Sequence, residues 1–235
     1  MPVMGYFGYY YYDATYLLVI LGAILSVIAS ARVNGTFSRY SRVRSMSGMT
    51  GAQAARRILD RNGLYDVKVE HIRGNLTDHY DPRTKVLRLS DATYGASSVA
   101  AVGVAAHECG HAVQDSEAYE PLRIRSKMAP AANFGSRFGL PIFIAGLIFG
   151  ANEVLMQTGI WVFLLAVLFQ LITLPVEFDA SKRALAMLTD YGILGDGEVE
   201  GSRKVLKAAA MTYVAAAAAS VLNLLRLILI ARSRD

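Results

Sequence analysis

Four long apolar stretches limit what this chain can fold into more than any other feature of its sequence. Of the 235 residues, 54% are hydrophobic, which is a larger share than most soluble domains have. A chain that crosses a bilayer must satisfy its backbone hydrogen bonds internally, and this requirement favours helices. The sequence therefore predicts a mainly α, multi-pass membrane protein with apolar stretches at 16–31, 138–151, 160–176 and 208–230.

The stretch 16–31 is predicted to be an uncleaved membrane anchor. With part of the tyrosine-rich segment before it, it is long enough to span a bilayer, and the tyrosines would lie at one interface. Ala29-Ser30-Ala31 resembles a signal-peptide cleavage site, but no basic residue precedes the stretch, and seven arginines lie between 32 and 61. The positive-inside rule then places the N-terminus outside and the chain after Arg32 in the cytoplasm.

The stretches 138–151 and 160–176 are predicted to form a transmembrane helical hairpin. The connecting segment 152–159 has no Lys or Arg, so the tip is expected outside. A re-entrant hairpin that is partly buried in protein is the alternative. The last stretch, 208–230, is a candidate further span with nearly balanced flanking charges, and packing along the protein is its alternative.

The polar region between anchor and hairpin contains the signals of a small folded unit. After a predicted linker at 34–48, Thr50 and Gln53 form a capping-box pattern for a helix that ends at Asn62-Gly63. Alternation at 67–72 and 85–89, with turn signals between them, predicts a small antiparallel β-sheet. Its exposed edge could hold an extended peptide by strand addition, or the sheet could only cover the next helix.

That next helix carries His107-Glu108-Cys109-Gly110-His111, which has the pattern H-E-x-x-H. Two histidines four residues apart lie on one face of a helix and can bind one metal ion together. Glu108 lies about 100° further round and can reach a water at that metal, as a general base must. Neutral imidazoles suit zinc, so we expect one Zn²⁺ per chain. The helix is predicted to have Ser90 or Asp91 as its N-cap and to end near Ser116.

A catalytic zinc ion usually has a third protein ligand, and the sequence lacks the H-x-x-G-x-x-H continuation that would supply one nearby. Glu177 is preferred because it opens a predicted cytoplasmic helix, 177–191, whose same face carries small residues that allow a close approach. An interfacial carboxylate paired with Lys182 or Arg183 is the alternative reading of Glu177. The other downstream carboxylates considered are Asp115, Glu117, Glu120, Glu153 and Asp179.

Peptide hydrolysis also needs a donor for the developing oxyanion, and the sequence offers three candidates for substrate binding. These are His79, Tyr80 and Arg183, and nothing in the sequence chooses among them. His71 and His79 could also bind metal, although a single histidine on a strand is more often a surface residue.

Together these motifs resemble the bacterial neutral zinc metallopeptidases of the YugP-like membrane type. The resemblance implies a multi-pass protease of the bacterial cell membrane with a cytoplasmic active site. Glu-x-x-Ala at Glu177 is also similar to membrane gluzincins related to the CAAX-processing and heat-shock membrane proteases, and this similarity implies Glu177 as the third zinc ligand. Ser181 stands where that pattern has Asp. The motifs are Asp78-His79-Tyr80-Asp81-Pro82, Ala105-Ala106-His107-Glu108-x-Gly110-His111-Ala112 and Leu174-Pro175-Val176-Glu177-Phe178.

The predicted protein is thus a membrane-bound zinc metalloendopeptidase with a zincin-like HExxH helix, a small antiparallel sheet before it and a second metal-ligand helix. Its expected partners are a protein or peptide substrate and the lipid bilayer. Nucleic acid is not expected, because the net charge of +5 comes from basic residues that flank apolar segments. The predicted parts are an anchor (1–31), a metallopeptidase part (32–137), a hairpin (138–176), a third-ligand segment (177–207) and a C-terminal transmembrane helix (208–235).

Two other function classes are weighed against the protease. A catalytically silent scaffold would hold structural zinc closed by a fourth ligand such as His79 or Asp179, and it would not need Glu108. A transporter would need ionisable residues near the bilayer centre, for which Arg226 and Glu153 are the candidates.

Overall fold

The computed structural model describes residues 15–233 and places six helices and three short strands within them. The tyrosine cluster predicted at the outer membrane interface lies outside the described residues. The helices are α1 (Tyr16–Tyr40), α2 (Gly51–Arg61), α3 (Val99–Ser116), α4 (Glu120–Ile148), α5 (Glu153–Asp190) and α6 (Asp196–Arg232). The strands are β1 (Lys68–His71), β2 (His79–Asp81) and β3 (Val86–Leu89).

Four of these helices, α1, α4, α5 and α6, are long and apolar enough to cross a membrane. Large apolar side chains such as Leu17, Val27 and Trp161 are exposed on their surfaces, as a lipid environment allows. The four predicted apolar stretches therefore all lie on candidate spans. The turn between α4 and α5 is tighter than expected, because only residues 149–152 connect them.

Glycines let the membrane helices approach each other closely. A Cβ atom at Gly139 of α4 would lie 2.7 Å from the Phe163 Cβ of α5, and one at Gly159 would lie 2.6 Å from the Phe143 nitrogen. In lipid, helices associate by such close packing because burial of apolar surface gives little driving force there.

All four helices continue beyond their apolar stretches into the polar part of the protein. The linker expected from residue 34 is helical up to Tyr40, because the Tyr40 ring packs at Gly201 of α6, where an added Cβ would lie 2.9 Å from it. Likewise α5 passes through Pro175 without ending, and it carries Glu177 in its second half. The candidate membrane spans and the helix ends at the candidate site are therefore parts of the same continuous helices.

The sheet is mixed, so the expectation of an antiparallel sheet is wrong for one of its two pairings. The predicted hairpin is present, with β2 antiparallel to β3, and Asp81 accepts hydrogen bonds from Arg83 and Thr84 in its turn. The turn at Gly74 reverses the chain between β1 and β2, but β1 then pairs with the other edge of β3. Two reversals leave β1 parallel to β3, and β2 keeps one free edge.

Helix α3 lies inside the polar part, between α2, the sheet, α5 and α6. The structure corrects its predicted start, because Ser98 is the N-cap and accepts a hydrogen bond from the Ala101 N–H. Ser90 and Asp91 instead bond to Asp78 and to Gly74 in the segment around the sheet. The predicted capping box of α2 at Thr50 is confirmed.

Candidate metal centre

The centre forms where α3 and α5 touch backbone to backbone. A Cβ atom at Gly110 would lie 2.6 Å from the carbonyl oxygen of Ala180, so only glycine fits at this crossing. Ala180 and Ala184 are fully buried on the facing side of α5. This contact confirms the small-residue face predicted for Glu177, and it brings Glu177 to the two histidines of α3.

His107, His111 and Glu177 offer three ligand atoms that all lie within 4.8 Å of one another. The Glu177 carboxylate oxygens lie 3.3 Å from His107 Nε2 and 3.7 Å from His111 Nε2. Ligand atoms bound to one tetrahedral zinc ion are about 3.4 Å apart, given Zn–N and Zn–O distances of about 2.1 Å. Two imidazole nitrogens and one carboxylate oxygen at this spacing fit zinc in both chemistry and size.

The proton on His111 is placed by Gln114, which is fully buried. The Gln114 amide donates to the Val176 carbonyl at 2.9 Å and to the Asp179 carboxylate at 2.8 Å, so both of its N–H groups are used. Its oxygen therefore faces His111 Nδ1, 3.0 Å away, and can only accept. The proton must then be on Nδ1, which leaves the Nε2 lone pair free for a metal.

His107 has its own partner on α5, because the Ser181 hydroxyl lies 3.2 Å from His107 Nδ1. Ser181 is the position at which the sequence departs from the Glu-x-x-Ala-Asp pattern. A hydroxyl can accept from Nδ1–H as a carboxylate would, although without its charge. The substitution therefore keeps a hydrogen-bond partner for the first histidine.

Glu108 lies beside the three ligands and is almost buried. Its carboxylate makes no side-chain hydrogen bond or ion pair with any residue in the described range 15–233. It faces two cavities, one of about 240 Å³ and one of about 150 Å³, and Glu177 lines both as well. A carboxylate without a protein partner at such an opening is free to bind and deprotonate water.

The two cavities differ in chemistry. The larger is lined mainly by apolar side chains of α1, α3 and α6, among them Val33, Val104 and Leu206. The smaller is polar and lies between the β2 region and α4, with His79 and Arg125 in its lining. An extended ligand bound across the centre would thus contact an apolar cavity, here called the apolar chamber, on one side and a polar cavity on the other.

Besides Gln114, sequence reasoning missed two residues of this centre, Arg125 and Tyr213. Arg125 Nη1 donates to a Glu177 oxygen at 2.9 Å, and Tyr213 of α6 lines both cavities. Neither belongs to a recognisable local motif, and Tyr213 lies far from residues 107–111 along the chain. The only signal was weak: Tyr213 is a polar residue inside the predicted apolar stretch 208–230, whereas Arg125 is one of several cations in the polar segment before residue 138.

The three predicted substrate-binding residues have different positions. His79 and Tyr80 line the polar cavity, but the Tyr80 hydroxyl donates to Asp115 at 2.9 Å. Burial, together with this hydrogen bond and the charge of Asp115, raises the pKa of Tyr80 well above its usual range, so its proton stays on the phenol. Arg183 lies outside both cavities, where it forms ion pairs with Asp179 and Glu117 at 2.6 Å each.

None of the other predicted ligands in the described range joins the three-residue group. Asp179 accepts from Gln114 and Arg183, His79 lies against the Thr77 carbonyl, and His71 bonds to Asp91 at 2.6 Å. The remaining side of the group faces the cavities. This arrangement matches an open catalytic zinc site better than a closed structural one.

Comparison with known proteins points to the same chemistry. Residues 15–232 match the model of a family described as "Putative neutral zinc metallopeptidase". The chain is 49% identical over 213 residues to "Putative membrane protease YugP" of Bacillus subtilis (strain 168), covering 91% of this chain and 94% of that protein. No solved structure matches the chain.

We expect Gln114→Leu to weaken zinc binding about tenfold to a hundredfold, because His111 loses the acceptor that holds its proton on Nδ1. Zinc affinity is measured by competition with a chelator. Gln157→Leu is the matched control, since it makes the same change at an exposed position of α5. Equal zinc affinities of the two variants would contradict the role given to Gln114.

Proposed function

Because the chain belongs to the neutral zinc metallopeptidase family, we propose that it is a membrane-bound zinc metalloendopeptidase that hydrolyses peptide bonds at the cytoplasmic membrane face. The observation that carries this proposal is the convergence of His107, His111 and Glu177, with Glu108 free beside them. Binding a metal ion requires only the ligands. Hydrolysis also requires a base that has no other partner and that faces an open cavity.

His107, His111 and Glu177 would hold the zinc ion, which when bound supplies Lewis-acid chemistry that activates water and polarises a carbonyl. Glu108 takes the proton from the attacking water and then delivers it to the leaving amine. Gln114 and Ser181 keep both imidazoles in the ligating tautomer during this cycle. Arg125 holds the Glu177 carboxylate in place through its hydrogen bond.

Tyr213 is the residue we assign to the developing oxyanion. Its phenol is a hydrogen-bond donor that lines both cavities together with Glu108. The Tyr213 hydroxyl interacts with Glu177 at the centre itself. Tyr80 is less suited, because its hydroxyl donates to Asp115, which is not one of the three candidate ligands. Arg183 is less suited too, because two carboxylates hold it outside both cavities.

The substrate would lie along the free edge of β2. This strand pairs on one side only, and its residues His79 and Tyr80 line the polar cavity next to Glu108. An extended peptide added to this edge would have its backbone bound by main-chain hydrogen bonds, in a manner that does not depend on its side chains. Its residues beyond the scissile bond would then enter the apolar chamber beside α1 and α6.

The distribution of charge supports a cytoplasmic site. The C-terminal end of α1, the N-terminal end of α4, the C-terminal half of α5 and the N-terminal part of α6 all lie with α3 on one side of the apolar spans. Most Lys and Arg residues belong to this side, whereas the α4–α5 turn has none. The positive-inside rule assigns such a side to the cytoplasm.

We expect Glu108→Gln to retain about one zinc ion per chain while its peptide cleavage falls about 10²- to 10⁴-fold, because only the base is lost. Purified protein in detergent is incubated with a diverse peptide mixture, and zinc content is measured in parallel. Glu153→Gln, the same change at the exposed start of α5, is the control that should stay active.

If Glu108→Gln cleaves as fast as the unaltered protein with zinc bound, the mechanism is wrong. If both hold zinc and neither cleaves any peptide, the zinc-containing scaffold becomes the better description of the protein.

Tyr213→Phe is expected to lower kcat about 10²-fold at unchanged zinc content, which is the usual loss when one oxyanion donor is removed. Tyr80→Phe is the matched comparison, and it should lower stability by about 1 kcal/mol through the lost bond to Asp115 with little change in kcat. Steady-state kinetics on a peptide identified in the mixture decides between them. The reverse order of kcat losses would assign the oxyanion to Tyr80.

The membrane orientation predicts which engineered thiols a membrane-impermeant reagent can reach. Met46→Cys, at a side chain 91% exposed, should be labelled in inside-out vesicles, and Val154→Cys, at one 75% exposed, in spheroplasts. The native Cys109 is buried, and burial raises the pKa of its thiol, so the background should be low. Labelling of Val154→Cys from the cytoplasmic side would place the site on the opposite face.

A further inference from the structure

A pocket separate from the two cavities of the metal centre lies between α1 and α6, where both helices leave their apolar stretches. This groove has a volume of about 660 Å³. On each helix the main lining residues are three, four or seven positions apart, which puts them on one face. The residues that matter for its chemistry are Arg32, Gly35 and Arg39 of α1 with Lys204, Lys207 and Met211 of α6.

The two helices are in close contact on either side of the groove and are separated from each other within it. On the apolar side, a Cβ atom at Gly22 would lie 3.0 Å from the Cβ of Ala219. On the polar side, one at Gly201 would lie 2.9 Å from the Tyr40 ring. Between them, at Gly35, an added Cβ would meet no atom within 4 Å. The helices are therefore in close contact at both ends of the groove, and an open gap lies between these contacts.

Four cations surround this gap, and no acidic residue belongs to its lining. Arg32, Arg39 and Lys207 form no ion pair with any residue in the described part of the chain, and Lys204 reaches Glu200 only at 4.0 Å. Like charges placed together in this way repel each other unless an anion lies among them. This arrangement of charges therefore favours the binding of an anion in the groove.

The position of the groove relative to the bilayer indicates which kind of anion it would bind. Ile28, one turn before Arg32 on α1, is 46% exposed, as a lipid-facing side chain is. On α6, Met211 is 40% exposed and follows Lys207 by one turn in the direction of the membrane. Arg32 and Lys207 each lie one turn beyond these exposed apolar side chains, at the level where the phosphates of a bilayer leaflet are found, and Arg39 and Lys204 lie further toward the polar side.

The geometry points to a binding site for the phosphate headgroup of an anionic phospholipid in the groove between α1 and α6. The lipid phosphate would lie among Arg32, Arg39, Lys204 and Lys207, and an acyl chain would run from the groove along Met211. Such a lipid would bridge the first and last membrane helices. This inference does not depend on the proposed peptidase activity.

The test uses the full-length protein in zwitterionic detergent. Lipid binding is measured by native mass spectrometry and by the thermal unfolding midpoint, with phosphatidylglycerol and phosphatidylcholine of identical acyl chains as probes. Inorganic phosphate and glycerol 3-phosphate are the soluble probes. We expect phosphatidylglycerol to be retained and to raise the midpoint, and the other three to have much smaller effects.

Two variants locate the site. Arg32→Gln/Arg39→Gln should bind phosphatidylglycerol roughly thirtyfold more weakly, because two cations are lost. Gly35→Leu fills the gap without a change of charge, so it should also reduce binding while preserving the helix and its orientation. Lys68→Gln/Arg83→Gln removes two exposed cations from the sheet region and is the matched control that should bind normally.

Equal loss of phosphatidylglycerol binding in the control variant would overturn the site, because binding would then follow net charge alone. Undiminished binding by Gly35→Leu would also overturn it, since the gap would not be the place of binding. Stabilisation by glycerol 3-phosphate as large as that by phosphatidylglycerol would replace the lipid with a soluble phosphate.

Discussion

The candidate centre depends on one close contact between two helix backbones, that of Gly110 on α3 with Ala180 on α5. Any side chain at Gly110 would separate the helices, and Glu177 would then no longer reach His107 and His111. The contact also explains why the sequence around it is composed of small residues on both helices. Because three ligands from two helices must lie within a few ångströms, the packing that sets the helix distance matters as much as the ligands themselves.

The same contact also determines which polar residues surround the ligands. With α5 this close, Gln114 reaches the Val176 carbonyl and Asp179, and Ser181 reaches His107. Buried polar groups are costly unless they are paired, and here each pairing also orients a histidine. Glu108 is the exception among the acidic groups of the centre, and its lack of a side-chain partner in the described residues is what supports the proposed hydrolysis over a zinc-containing scaffold.

The candidate membrane helices are continuous with the elements of the centre. Helix α5 carries Glu177 at the end of a span, α4 carries Arg125 before one, and α6 carries Tyr213 within another. A change in the packing of these spans would therefore move groups at the centre directly. The groove between α1 and α6 lies on this same framework, since Val33 and Leu206 of those helices line the apolar chamber.

The sequence by itself determined the four apolar helices, the candidate ligand pair His107 and His111 with the candidate base Glu108 beside it, and the hairpin of β2 and β3. These features depend on local spacing and composition, which a single stretch of chain contains. Its choice of Glu177 as third ligand rested on side and spacing, and the family resemblance led to the same residue. Only the tertiary structure decided the rest: the mixed sheet, the Ser98 cap, the length of each helix beyond the bilayer, and the places of Gln114, Arg125, Tyr213 and Arg183. Those outcomes depend on contacts between residues far apart in the chain. Local patterns of spacing and composition do not specify such contacts.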